Sequence, residues 1–183
     1  RKPADKFARI LGDCLFFCDL RGTGRAADIV IKDRYWHFWV YDVQLQLQWQ
    51  GDCNTGHYPF AYDIDGDGHD ELAIGYSMYD HDGSLLWSLQ DQLEEHADGI
   101  AIVDWMEQPG SKPRILYAAS DDGLVLADLE GNILRHHRIG HAQNPVIGKF
   151  RHDLPGLQAV SINFWGNQGI LHFYDANGDI YHA

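Results

Sequence analysis

The sequence predicts an all-β protein, a β-propeller segment of four four-stranded blades of about 44 residues each. Three observations predict it. Aromatic residues make up 13% of the chain, and 19 glycines stand against 6 prolines, a balance suited to many short strands joined by tight turns. Apolar runs end at Asp19, Asp63, Asp104 and Lys149, spaced by 44, 41 and 45 residues. A second series, Asp42, Asp80, Asp128 and Asp175, runs in phase with the first, and seven positions beyond its members stand Trp49, Trp87, Arg135 and His182. A β-sandwich spaces its strands similarly but has no reason to repeat two anchors together.

Each period reads as four strands in order. An apolar run comes first, then a glycine-rich loop, a second run, a short connection and a third run. A turn with glycine three residues after aspartate (Gly83, Gly131, Gly178) then leads to the fourth run. The first run is apolar without alternation, as in residues 100–103, which suits an innermost strand covered on both faces. The last run alternates, as an outer edge should. The blades are set at about 8–52, 53–92, 93–139 and 140–183. Propellers close with roughly four to eight blades. The opening Arg1-Lys2-Pro3, without methionine, favours part of a six- to eight-bladed ring over a complete small one.

With 27 acidic against 14 basic side chains, the formal charge of −13 opposes a phosphate backbone, so nucleic acid is excluded as a partner. No apolar run is long enough for a membrane-spanning helix, so no membrane insertion is expected. Cys14, Cys18 and Cys53 match no metal-ligand spacing and read as buried thiols.

The segment from Asp63 to Glu71, D-I-D-G-D-G-H-D-E, places carboxylates at positions 1, 3, 5 and 9. Such a turn supplies oxygens to a hard cation, and its glycines permit the positive φ angles of the wrap. Asp63, Asp65, Asp67 and Glu71 are the expected side-chain ligands of Ca2+, with the His69 carbonyl as backbone donor. No glutamate stands at position 12, where Ile74 lies, so this is a strand-to-strand loop and not an EF-hand. The other repeats have lost the ligands: Arg21 takes position 3 in the first, Asp104 alone remains in the third, and Lys149 replaces the first aspartate in the fourth. An internal cation is expected to do the metal's work there.

The repeat resembles the FG-GAP type found in integrin α-subunit propellers and bacterial secreted enzymes. The stretches Lys32 to Tyr35, Asn54 to Gly68, Gly140 to Gln143 and Asp153 to Leu157 are similar to those of rhamnogalacturonan lyases. This resemblance implies a calcium-rich, eight-bladed propeller that cleaves pectin backbones by β-elimination, and an extracellular or periplasmic setting. It covers about half of such a propeller. The chain departs from the family in keeping one calcium loop where the lyases carry several, and no complete family active site aligns onto it.

If the calcium loop joins strands one and two at the lower face, the functional loops gather at the upper one. His57, His96 and His141 each precede an innermost strand and are expected to border the channel. Lys32, Asp33, Arg34 and Tyr35, with Tyr76, Asp121, Asp122, Asn163, Trp165 and Asn167, occupy the second set of upper loops. Eliminating a uronate needs a base for the C5 proton, a cation for the carboxylate and an acid for the leaving O4. His57 or His141 is the expected base, Arg34 or Lys32 the carboxylate holder, and Tyr35 or Tyr58 the acid; a desolvated Lys32 is the rival base. Tyr58, Tyr76, His96, Asn163, Trp165 and Asn167 complete the substrate-binding set. The partner is thus an acidic polysaccharide or glycan, alongside the remaining blades. The competing reading is a non-catalytic FG-GAP-type module that binds a glycan or a protein; a glycosidase using Asp121 or Asp122 ranks third. No G-x-S-x-G elbow or phosphate loop supports nucleophilic hydrolysis or nucleotide chemistry.

Overall fold

The computed structural model describes residues 12–183, so residues 8–11 of the first blade lie outside the described residues. Among these, sixteen strands form four four-stranded antiparallel sheets, each in sequence order, and no helix is present. Among the described residues no helix is therefore long and apolar enough to cross a membrane. The described chain divides into two compact units, one ending at Ser88 and one beginning at Leu89.

The first unit holds two blades: β1 (Gly12–Cys18), β2 (Asp28–Asp33), β3 (His37–Tyr41) and β4 (Leu47–Asp52), then β5 (Phe60–Tyr62), β6 (Glu71–Ile74), β7 (Ser77–Tyr79) and β8 (Leu85–Ser88). Register explains its core. Phe16, Val30, Val40 and Trp49 fall in one cross-strand row of the first blade. They pack with Leu72, Ile74 and Tyr79 of the second. Because side chains alternate across a sheet, the opposite face carries Phe17 with Ile29, and Leu15 with Ile31 and Trp39. That face is apolar yet uncovered within the unit: Leu15 is 58% and Phe17 52% exposed.

The second unit contains β9 (Gly99–Val103), β10 (Arg114–Ala118), β11 (Leu124–Ala127) and β12 (Ile133–His137), then β13 (Ala142–Gly148), β14 (Gln158–Asn163), β15 (Leu171–Tyr174) and β16 (Ile180–His182). Trp105, Leu116, Leu124 and Leu126 of its first blade pack on Ala159 and Tyr174 of its second, with Ile147 alongside. Across the fourth blade, the other row, Val146, Val160, Phe173 and His182, leaves Val146 half exposed.

One expectation is corrected. Unbroken burial falls on middle strands, β6, β7 and β11, whereas β1 and β13 alternate mainly between partly buried and exposed; β9, with no exposed residue, keeps the expected cover. The cause is that β1 and β13 belong to blades with one uncovered face. Cys18 and Cys53 are buried, which pushes both thiols up to about 12, and Cys14 is partly buried.

Candidate functional site

The acidic turn between β5 and β6 brings carboxylate oxygens of Asp63, Asp65 and Glu71 within 4.8 Å of one another. Its wrap is fixed by its own amides: Gly66 and Gly68 donate to Asp63 at 2.7 and 3.1 Å, and Ile64 donates to Glu71 Oε2 at 2.7 Å. Asp67 accepts from the His69 amide at 2.8 Å. Glu71 is 2% exposed, and burial, with the charges of Asp65, Asp80 and Asp63, pushes its carboxyl up to about 7 despite the Ile64 hydrogen bond. A buried carboxylate set among acids fits a bound cation, because the charge it must otherwise carry is uncompensated. The His69 imidazole, which the sequence reading left unused, donates from Nδ1 to the Leu20 carbonyl at 2.9 Å, and Asp70 accepts from the Asp19 amide at 2.8 Å. These bonds tie the turn to the first blade's corresponding loop.

The equivalent turns satisfy themselves in three other ways. Asp19 accepts from the amides of Thr23, Gly24 and Arg25 and from the Thr23 hydroxyl. Although desolvation acts upward, these bonds hold its carboxyl below the usual range. Arg21 does not serve as the expected internal cation for Asp19, since its guanidinium turns to Asp28 at 2.5 Å. Asp104 takes the Ser111 hydroxyl at 2.6–2.7 Å. In the fourth turn Lys149 donates to the carbonyls of Leu154 and Gly156 at 2.6 and 2.5 Å, so a cationic side chain braces that turn.

At the other end of β5, His57 Nδ1 lies 3.3 Å from Asp13 Oδ2 and His57 Nε2 lies 3.4 Å from the Tyr35 hydroxyl. A carboxylate only accepts, so Asp13 fixes the proton on Nδ1 and turns the basic Nε2 toward Tyr35. Lys32 donates to the same Asp13 oxygen at 2.8 Å. Desolvation pushes the Asp13 carboxyl up, but the Lys32 hydrogen bond and charge, with those of His57, hold it below its ordinary value. Lys32 is 1% exposed. Its ammonium anchors Asp13 and is not placed to hold a substrate carboxylate or to act as the base. Arg34 is exposed, its guanidinium 5.3 Å from the Tyr35 ring, and Tyr58 is exposed beside His57. Tyr76 is fully buried in the β6–β7 turn, so it cannot meet a polymer.

In the second unit His141 has a carboxylate at each ring nitrogen: Nδ1 is 2.8 Å from Asp121 and Nε2 is 3.1 Å from Asp98. The Ser120 hydroxyl also lies 3.2 Å from Nε2. His96 Nε2 approaches the other Asp98 oxygen at 3.6 Å, with the two rings 6.4 Å apart. The Asp98 hydrogen bond is the chief cause that raises the His96 imidazole above its ordinary value. Asp122 is buried and accepts from the amides of Glu94 and Glu95. Asn163 is likewise internal, accepting from the Ile170 amide and donating to the Ile139 carbonyl, so it shapes the β14–β15 loop and does not face ligand. Asn167 braces the same loop through the Phe164 carbonyl at 2.8 Å. Trp165 projects 67% exposed against Phe164.

A further regularity lies in the connection between second and third strands. Tyr35, Gly75, Ser120 and Trp165 all adopt positive φ there, at 87°, 55°, 52° and 39°. Only Gly75 lacks a side chain to strain, and a Cβ there would meet the Asn54 carbonyl at 1.7 Å. Tyr35, Ser120 and Trp165 hold this costly conformation with a side chain present, as do Leu45 and Glu107 in other turns. Sequence reasoning missed Asp13, Asp98 and Ser120, all of which orient histidines; the carboxylates precede no motif, and only register reveals them.

No family model matches the chain, and no curated protein sequence is significantly similar to it. Solved structures do match. An exotype rhamnogalacturonan lyase, YesX, superposes with a TM-score of 0.75 at 22% identity, covering 92% of this chain and 31% of that one. A rhamnogalacturonan lyase from Bacillus licheniformis gives 0.72 at 18% identity, with coverage of 92% and 30%. The Dos1 propeller gives 0.56 at 15% identity, with coverage of 92% and 46%. The fold is thus that of β-propeller blades, consistent with four blades of a larger propeller. The chain spans about a third of the length of the lyase structures it resembles.

Proposed function

We propose that this chain is a calcium-clamped part of a polysaccharide lyase propeller that cleaves an acidic, pectin-type polymer by β-elimination. The observation that carries the reading is His57 held between the Asp13 carboxylate and the Tyr35 hydroxyl. In that arrangement Nε2 takes the uronate C5 proton, the electron pair forms the C4–C5 double bond, and the C4–O4 bond breaks. Tyr35 then gives its proton to O4, and His57 returns one to Tyr35 across their contact. Exposed Arg34 beside Tyr35 offsets the substrate carboxylate as enolate character develops. His57 is preferred over His141 because both nitrogens of His141 face carboxylates.

Asp63, Asp65 and Glu71 would hold Ca2+, with Asp67 and the His69 carbonyl completing the oxygen set, and the ion would fix the β5–β6 turn. Its role is structural, since the turn and His57 lie at opposite ends of β5. The half-exposed apolar faces of the first and fourth blades support further blades as partners. The test is incubation of the parent protein with rhamnogalacturonan, following the ultraviolet absorbance of the unsaturated uronate. Absorbance should rise with the parent and fall at least about a hundredfold in rate with His57→Ala. Binding of the polymer without absorbance would favour the non-catalytic glycan-binding alternative.

A further inference from the structure

The hairpin that follows the acidic turn brings a second donor set against it. Leu72 pairs with Tyr79 across β6 and β7, so the next residues outward, Glu71 and Asp80, face one another. The Asp80–Gly83 turn then swings His81 back, and donor atoms of Glu71, Asp80 and His81 lie within 4.8 Å of one another. Glu71 therefore belongs to two triads at once, one made of oxygens alone and one containing an imidazole.

The His81 nitrogen is built into this place. Nδ1 is closed off from solvent and lies 2.7 Å from Asp80 Oδ1, yet it makes no hydrogen bond among the described residues; that oxygen accepts instead from the His81 amide. The His81 ring stacks on His69 with centroids 4.4 Å apart, and its carbonyl accepts from Trp49 Nε1 at 3.1 Å. His69 is itself held by Leu20. The stack thus positions the His81 ring and the Trp49 bond its backbone, which limits the motion of the imidazole beside Asp80. A cleft of about 340 Å³ adjoins the stacked rings, lined by His69, His81, Trp49 and Arg21 among others.

Charge points the same way. Asp63, Asp65, Glu71 and Asp80 form no ion pair with lysine or arginine among the described residues. Four carboxylates against one divalent ion leave two negative charges uncompensated. Calcium takes oxygen donors and has little use for imidazole, whereas zinc and its first-row neighbours bind imidazole and carboxylate together. We propose that Glu71, Asp80 and His81 form a second cation site, selective for a first-row transition-metal ion of the zinc class, which shares Glu71 with the calcium loop.

The shared-carboxylate part of this proposal rests on the calcium reading; the His81 site does not. The experiment titrates Co2+, a visible-absorbing stand-in for zinc, into the whole chain saturated with Ca2+, and measures bound calcium separately. One Co2+ per chain should bind with ligand-field absorbance. The affinity should fall at least about tenfold in His81→Gln and in Asp80→Asn, and persist in Asp65→Asn, which weakens only the calcium triad. Circular dichroism of the variants establishes that they remain folded. If Co2+ binds His81→Gln as tightly as the parent chain, or merely displaces Ca2+ one for one regardless of His81, the second site is overturned. If Ca2+ fails to bind while Co2+ binds in a His81-dependent manner, the calcium reading fails and the second site stands.

Discussion

Replacing Glu71 by glutamine should make the cation-free chain more stable at pH 8 and cation-loaded chain less so. The carboxyl is pushed from 4.5 to about 7 by burial and by the charges of Asp65, Asp80 and Asp63. A raised folded-state value means that this group's stability is fully present below 4.5 and is lost as pH rises through about 7. At about 1.36 kcal/mol per pH unit the whole shift amounts to at most ~3 kcal/mol. Water at the more exposed neighbours screens part of it, leaving ~1–2 kcal/mol for glutamine to recover. The Ile64 amide keeps its acceptor, since the glutamine oxygen can take its place. Calcium reverses the sign: at an ion concentration about a hundredfold above Kd the parent chain gains ~2.7 kcal/mol, which the variant should largely lose. Urea denaturation at pH 8, with chelator and with calcium, gives both numbers. A variant that is less stable than the parent in chelator, or that gains as much from calcium, would refute the reasoning.

Three further outcomes follow from the same geometry. Lys149→Met removes the donor to the Leu154 and Gly156 carbonyls and should cost about 1 kcal/mol in urea denaturation. Threonine at both Leu15 and Phe17, half exposed on the outer face of the first blade, should reduce self-association of the isolated chain in sedimentation without lowering its stability by more than ~1 kcal/mol. The His96 imidazole should titrate above 6.5 by NMR and fall toward that value in Asp98→Asn, because the Asp98 hydrogen bond is the chief cause of its rise. Its contribution to stability is accordingly full below 6.5 and lost as pH climbs through the folded-state value.

The strand plan was legible because two anchors repeat in phase. Asp63 and Asp104 close their first strands, and Asp80 and Asp128 open the turns after their third, as the spacing required. The clustering of carboxylates in the acidic turn was legible too, since Asp63, Asp65 and Glu71 lie within nine positions of the chain. What escaped was set by register or by burial. Asp13 reaches His57 only because β1 pairs with β2 beside Lys32, and Lys32 looked like a surface cation until that pairing enclosed it. Asp80 meets Glu71 through a hairpin whose register a single sequence does not reveal. Tyr76 and Asn163 have the composition of a binding loop, yet both turn inward, Asn163 bracing the loop that displays Trp165.

The most direct test of the central claim weighs the products of the parent protein acting on rhamnogalacturonan. Elimination leaves a new chain end lighter by one water than hydrolysis does, and the account predicts that lighter product, dependent on His57 and Tyr35. Saturated ends carrying the added water, or lighter ends formed equally well without His57, would contradict it.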